Sequence, residues 1–316
     1  MAFSNLTTRI LVALVGIPAM VAATMVGGYL FAALVLLVSL VGLHEFYGLA
    51  RAKGSSPQTV AGYLFGILLV AVFLYDRLHV VIISAFDRQG IAIPFPTMAQ
   101  ELLILLLVFV PGIMILELFR GKPHPLYNIA ITIMGVLYVS FACGTLIGLR
   151  ELFVPADFPV YEHFHVVGAA VPESVASTIY WWGGWTVVAV FVAVWVCDSA
   201  AYFAGRAFGR HKLFERVSPH KTWEGAIAGV LGALAAFVLM KILVLPYLTV
   251  IQSLVCGGIV GVIGQLGDLA ESLLKRDAGV KDSSAIIPGH GGVLDRFDSI
   301  LAASPVLFLF LDFVVF

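Results

Sequence analysis

The sequence predicts an all-α integral membrane protein of about nine transmembrane helices. Three observations predict it. Of the 316 residues, 61% are hydrophobic and 12% are charged, and the mean hydropathy is +1.03. A soluble domain is about 45–50% apolar and about 25% charged, so this chain has too little charge to cover its own surface in water. Long apolar runs recur along it, and residues 10–44 carry no Lys, Arg, Asp or Glu at all. The basic residues, finally, fall unevenly among the segments that connect these runs. The same composition excludes a disordered chain, collagen, a coiled coil and a disulfide scaffold.

Taken in order, the expected spans are 9–26, 28–49, 58–75, 100–118, 127–148, 184–206, 223–243, 247–275 and 299–316. The run over 10–44 is too long for one upright helix, and Gly27-Gly28 marks a turn within it. No A-x-A cleavage site follows the first span, which reads as a retained helix rather than a signal peptide. Segment 78–93 is apolar but is interrupted by Asp87 and Arg88, and is expected as a loop at the membrane interface. Segment 149–183 carries prolines, acids and two histidines and reads as an external loop. The chain thus divides into N-terminal scaffold helices over 1–148, the insert 149–183, and a C-terminal region 184–316 with polar loops 207–222 and 276–298.

Nine spans place the N-terminus and the loops near 50–57, 119–126, 207–222 and 276–298 on one side. Counted with the span ends, that side holds 14 of the 18 basic residues, and the other holds Arg77, Arg88, Arg150 and Lys241. The positive-inside rule then predicts a cytoplasmic N-terminus and an external C-terminus. Trp181, Trp182 and Trp185 are expected as an interfacial belt on the external side. The net charge of −1 excludes a broad basic surface for nucleic acid. Cys143, Cys197 and Cys256 lie in apolar runs without metal-type spacing and are expected in the core. His163 and His165 lack a third ligand at a spacing suited to zinc.

Acidic residues within spans are costly and mark candidate functional positions. They are Glu45 at the end of the second span, Asp198 near the end of the sixth, Glu224 opening the seventh, and Asp268 and Glu271 in the last turns of the eighth. Asp268, Glu271, Ser272 and Lys275 are spaced i, i+3, i+4, i+7 and share one helix face. Glu271 with Lys275 reads equally as an ordinary ion pair, whereas Asp268 has no partner evident along the chain. Upstream, Gly257, Gly261 and Gly264 form a stripe where another helix can approach closely.

The loop after the eighth span is the most polar stretch in the chain. Its Pro288-Gly-His-Gly-Gly292 turn can point backbone amides at an anion. Lys275, Arg276, Lys281 and Arg296 supply cations for phosphate oxygens. Asp295 and Asp298, three apart, can meet one divalent ion, and Mg²⁺ binds through carboxylates and substrate phosphates while keeping waters. The segment Ser218-Pro-His-Lys-Thr-Trp-Glu-Gly225 opens the seventh span. There Ser218 or Thr222 serves as a helix cap, or Lys221 and the helix N-terminus face a phosphate.

These residues resemble the phosphatidate cytidylyltransferases, also called CDP-diacylglycerol synthases. Their signature over 272–298 is carried by Ser272, Lys275, Arg276, Lys281, Asp282, Pro288, His290, Gly291, Gly292, Asp295, Arg296 and Asp298. Gly267-Asp-Leu-Ala-Glu-Ser, Ser218-Pro-His-Lys-Thr-Trp-Glu-Gly and Asp198-Ser-Ala-Ala-Tyr-Phe-Ala-Gly resemble further family motifs. The close resemblance covers about 195–300, and in 1–148 it is compositional only. It implies conversion of CTP and phosphatidate to CDP-diacylglycerol and pyrophosphate with Mg²⁺, in a homodimer in a bacterial inner membrane. On this reading Asp268, Asp295 and Asp298 hold one or two divalent ions. Lys221, Lys275, Arg276, Lys281 and Arg296 contact phosphates. Gly289, Gly291 and Gly292 cradle a further phosphate, Ser218 and Thr222 contact substrate, His290 donates a hydrogen bond or holds the loop, and Asp198 orients a lysine or completes the metal shell. The competing reading is an ion- or proton-coupled transporter with Asp198, Asp268 and Glu271 as a relay. A structural membrane scaffold, a third reading, leaves the 272–298 loop unexplained.

Overall fold

A computed structural model describes residues 5–88, 95–153 and 171–316. Its helices are α1 (Asn5–Val26), α2 (Gly28–Ala52), α3 (Thr59–Val72), α4 (Tyr75–Asp87), α5 (Met98–Leu118), α6 (Pro125–Glu151), α7 (Glu173–Phe208), α8 (Trp223–Leu243), α9 (Val250–Asp277) and α10 (Leu294–Val315). Among the described residues, α2 and α5 to α10 are the seven helices long and apolar enough to cross a membrane. The α3–α4 pair, bent by 87°, raises the number to eight, and Ile10–Val26 of α1 is a shorter apolar helix. The protein is an all-α integral membrane protein. The nine expected spans correspond to the seven long helices together with α1 and α3.

Three expectations are corrected. Segment 78–93 does not begin as a loop: residues through Asp87 form α4, which leaves α3 at nearly a right angle. The helix is amphipathic, with Asp76 in its first turn, and Asp87 falls only at its last residue. The insert is shorter than 149–183, because α6 runs to Glu151 and α7 already begins at Glu173. His163 and His165 lie outside the described residues. Trp182 is buried against Tyr247 with ring centroids 5.6 Å apart, so it is a core residue, whereas Trp181 is half exposed, as a belt residue is.

Two small strands are also present. β1 (Lys212–Phe214) and β2 (Ser218–Thr222) pair antiparallel, with Lys212 opposite Thr222 and Phe214 opposite Ser218. Strands this short show no alternation that a sequence reading can detect.

Glycine lets the C-terminal helices approach to backbone contact. A Cβ on Gly257 would lie 2.7 Å from the Leu234 Cα, and one on Gly261 would lie 2.9 Å from the Val230 Cα, both on α8. The expected stripe on α9 is therefore the α8 contact, with Gly264 turned toward Ser299 of α10. The three cysteines are buried. The core joins α2, α6, α7 and α10, and buried hydroxyls bridge them: Thr145 Oγ1 donates to Ser304 Oγ at 3.1 Å. In α6 and α9 the α-helical pattern widens to π-turns at Val136–Phe141 and Val260–Gly264. The second lies one turn before Asp268, and such widenings re-aim the side chains that follow.

Candidate functional site

The polar ends of α7, α8, α9 and α10 meet around three cavities that share lining residues. The largest, about 1080 Å³, is amphipathic. Its long wall is apolar, from Val12 to Ala23 of α1, Leu30 to Val38 of α2, and Phe191, Val194 and Trp195 of α7. Its other end carries Asp198, Asp268, Lys275, Arg276, Lys281, His290, Asp295, Arg296 and Asp298. A second cavity, about 540 Å³, lies between α7, α8 and the β-hairpin and shares Asp198 and Asp268 with the first. The third, about 520 Å³, lies under the 281–291 loop and shares Lys281, His290 and Arg296.

Local structure explains how each residue is held. Thr222 lies extended at the end of β2, where its hydroxyl accepts the Gly225 amide at 3.2 Å and caps α8. Of the two expected capping residues it is Thr222 that acts, while Ser218 pairs in the hairpin. Glu224 in the first turn accepts the Arg210 and His211 amides and pairs with the His211 ring, which ties the start of β1 to α8. This frame presents Lys221, whose ammonium donates to Asp268 Oδ2 at 2.6 Å. Asp268 therefore does have a protein partner, 47 residues away in the chain. Its other oxygen accepts the Ser272 hydroxyl at 3.3 Å.

Lys275 is placed differently from Lys221. It is only 7% exposed, and its ammonium lies 2.5 Å from both Glu271 Oε2 and Asp295 Oδ1. It braces α9 against α10 from the wall of the large cavity. Asp295 in turn spends its second oxygen on the Ser283 amide at 2.8 Å, the Ser283 hydroxyl at 2.9 Å and the Gly292 amide at 2.8 Å. Asp295 and Asp298, expected together on one ion, both line the large cavity but differ in how far protein donors already occupy them. Asp298 accepts the Ser299 amide at 2.7 Å and faces the large cavity. Among the described residues, no three His, Cys, Asp or Glu side chains converge as a metal-holding group.

The 287–291 segment is a tight turn. His290 N donates to Ile287 O and Ile287 N donates to Gly291 O, each at 2.9 Å. Pro288 followed by Gly289 at φ +76° is the sequence and geometry of a type II turn, and Gly291 at φ +84° closes it. The amides of His290 and Gly292, expected to face an anion, are thus spent inside the protein. His290 is half-buried against two of the cavities, and its Nδ1 has no hydrogen-bond partner among the described residues. Lys281 and Arg296 remain exposed at the cavity rims, while Arg276 folds back to donate to Val280 O at 2.9 Å.

One contribution from outside the C-terminal motifs was not assigned to the site from sequence. Glu45 of α2, 2% exposed, accepts four hydrogen bonds from the 283–294 segment. Its position within an apolar helix marks it as costly, but nothing along the chain ties it to a loop about 240 residues later.

A sequence profile of the Cytidylyltransferase family matches residues 7–314. The chain belongs to the cytidylyltransferase family. This cytidylyltransferase is 33% identical over 306 residues to the phosphatidate cytidylyltransferase of Synechocystis, a match that covers 96% of each chain. It is 32% identical to that of Brucella suis over 97% of its own length and 93% of the relative's. It is 48% identical to that of Haemophilus influenzae over 130 residues, 40% of this chain and 45% of the relative.

Proposed function

We propose that this cytidylyltransferase makes CDP-diacylglycerol and pyrophosphate from CTP and phosphatidate, at the cytoplasmic face of a bacterial inner membrane, as a homodimer. The observation that carries the reading is the amphipathic cavity. An apolar trough along α1 and α2 ends among cations and carboxylates, which suits a lipid with a phosphate head. Cavities beside it, near Lys221 and beneath Lys281 and Arg296, have room for nucleotide phosphates. The 14-to-4 distribution of basic residues supports the cytoplasmic orientation.

In this account the acyl chains lie along α1 and α2, and the phosphatidate phosphate reaches Arg296, Lys281 and His290. An oxygen of that phosphate attacks the α-phosphorus of CTP. The bond from the α-phosphorus to the α–β bridging oxygen breaks, and pyrophosphate leaves. A phosphate monoester is largely ionised near neutral pH, so no strong general base is required. What remains for the protein is positioning and charge stabilisation. Lys221 faces incoming phosphate and at the same time holds Asp268. Lys275 and Asp295 act indirectly, by bracing α9 and the turn against α10.

The donor set fits Mg²⁺ bound jointly with nucleotide rather than a closed protein cage. Asp268 and Asp298 would hold the ion, with Asp198 on the same wall, and substrate phosphates and water would complete it. When bound, Mg²⁺ supplies neutralisation of the phosphate charge that builds up on the leaving pyrophosphate. The transporter reading gains no support from this arrangement, because the carboxylates cluster at helix ends beside a cation-lined cavity of about 540 Å³ and the chain belongs to a transferase family. The test incubates the detergent-purified protein with phosphatidate, Mg²⁺ and cytosine-labelled CTP. Label in the organic phase, dependent on phosphatidate, is the expected result. Label confined to the aqueous phase refutes the reading.

A further inference from the structure

We propose that Glu45 is a positioning residue for the catalytic loop, so that the N-terminal half of the chain is part of the machinery and not only its scaffold. The proposal rests on the function proposed above. It starts from a deficiency in α10. The first amides of a helix need acceptors, which a side chain at the N-cap normally supplies. The N-cap of α10 is Val293, which has no side-chain oxygen to offer. Glu45 of α2 supplies the oxygens from across the bundle. Its Oε1 accepts Val293 N at 2.9 Å, and its Oε2 accepts Leu294 N at 2.8 Å.

The same carboxylate holds the start of the loop. Oε1 accepts the Ser284 hydroxyl at 2.6 Å and Oε2 accepts the Ser283 hydroxyl at 3.0 Å. Ser283 also faces Asp295, so the chain Glu45–Ser283–Asp295–Lys275–Glu271 runs unbroken from α2 to α9. Gly292 makes room for it: a Cβ there would collide with Ser283 Oγ and lie 2.6 Å from Glu45 Oε2. The second glycine of the His-Gly-Gly sequence is thus explained by close approach to Glu45. Between the two anchored ends lies the turn that carries His290, and directly after them come Arg296 and Asp298.

Each carboxylate oxygen faces a backbone amide, Val293 N on Oε1 and Leu294 N on Oε2, which can only donate, so both positions need an acceptor. Glutamine matches Glu45 in shape but turns an NH₂ toward N–H or O–H donors. Aspartate is shorter but accepts only. A packing role predicts that Glu45→Gln is tolerated better than Glu45→Asp, whereas a positioning role through accepted hydrogen bonds predicts the reverse.

The experiment compares Glu45→Gln, Glu45→Asp and Ser284→Ala in the full-length purified protein. It reads kcat, KM for phosphatidate, and amide hydrogen exchange over 283–294. Expected are a loss of kcat of about tenfold or more in Glu45→Gln, a smaller loss in Glu45→Asp, and faster exchange at Val293 and Leu294. KM for phosphatidate rises by no more than a few-fold, because α1 and α2 still hold the acyl chains while the loosened loop weakens contact with the phosphate. Ser284→Ala, which keeps the carboxylate, loses a few-fold in kcat and guards against misfolding of the others. Wild-type kcat and exchange in Glu45→Gln, or Glu45→Gln outperforming Glu45→Asp, overturn the proposal. An inactive wild-type protein would instead refute the assigned reaction, and the exchange measurement would still decide the role of Glu45.

Discussion

Lys221 at the end of β2 and Lys275 in α9 carry the same charge, yet their surroundings give them different work. Lys275 is surrounded by Glu271 and Asp295 and is nearly excluded from solvent. Removing it leaves two carboxylates in a low-dielectric setting without their shared cation, a change that costs about 3–5 kcal/mol for a buried pair. Lys275→Met is therefore expected to lower the thermal unfolding temperature in detergent markedly, and to lose activity with it. The Lys221 side chain is 28% exposed and lines the cavity beside α8, so its partner Asp268 keeps access to water when it is removed. Lys221→Met is expected to unfold within a few degrees of wild type while turnover falls by about 100-fold, as for loss of a charge aimed at a transferring phosphate. Thermal melts and initial rates on the two variants check the contrast, and equal destabilisation of both would contradict it.

At the scale of elements, α1 and α2 form the apolar wall, and the turn between them is held from the far end of the bundle. Arg150, 1% exposed, donates to Thr24 O at 3.0 Å and Met25 O at 3.3 Å, and so satisfies the last carbonyls of α1. Gly27 and Gly28, at φ +66° and +55°, reverse the chain there. Gly16 lines the trough, and a Cβ added to it meets nothing within 4 Å. Gly16→Phe thus fills cavity space without a backbone clash. It is expected to raise KM for long-chain phosphatidate several-fold, with KM for CTP unchanged and short-chain lipid affected less. Steady-state kinetics with each substrate varied in turn check this. The helices themselves were legible because about 20 apolar residues in a row leave few alternatives. The Gly27-Gly28 turn and the α9 glycine stripe were legible because they depend on residue size and local conformation. The bend into α4 and the β-hairpin were not, since neither has a periodicity of its own. In the site, the motifs identified the residues that converge, but not their pairing. Asp268 finds Lys221 on β2, and Asp295 is engaged by Lys275, Ser283 and Gly292, contacts that form only after the hairpin, α9 and α10 pack.

For the whole molecule, scarcity of charge sets both the medium and the place of reaction. Large exposed side chains such as Leu107, Leu231 and Phe313 are suited to lipid and not to water. Most carboxylates and cations of the C-terminal half gather around the cavities at the ends of α7 to α10, where a lipid phosphate and a water-borne nucleotide can meet without either leaving its phase. If that end faces the cytoplasm, a reporter fused after Phe316 is external, and a cytoplasmic signal from it would reverse the proposed orientation. The central claim is that the lipid phosphate attacks the α-phosphorus of CTP. The most direct measurement gives the purified protein phosphatidate and Mg²⁺ with CTP labelled at either the α- or the γ-phosphorus. The account predicts that α-label passes into the lipid and γ-label into pyrophosphate. Gamma label in the lipid, or α-label that never leaves the aqueous phase, would contradict it.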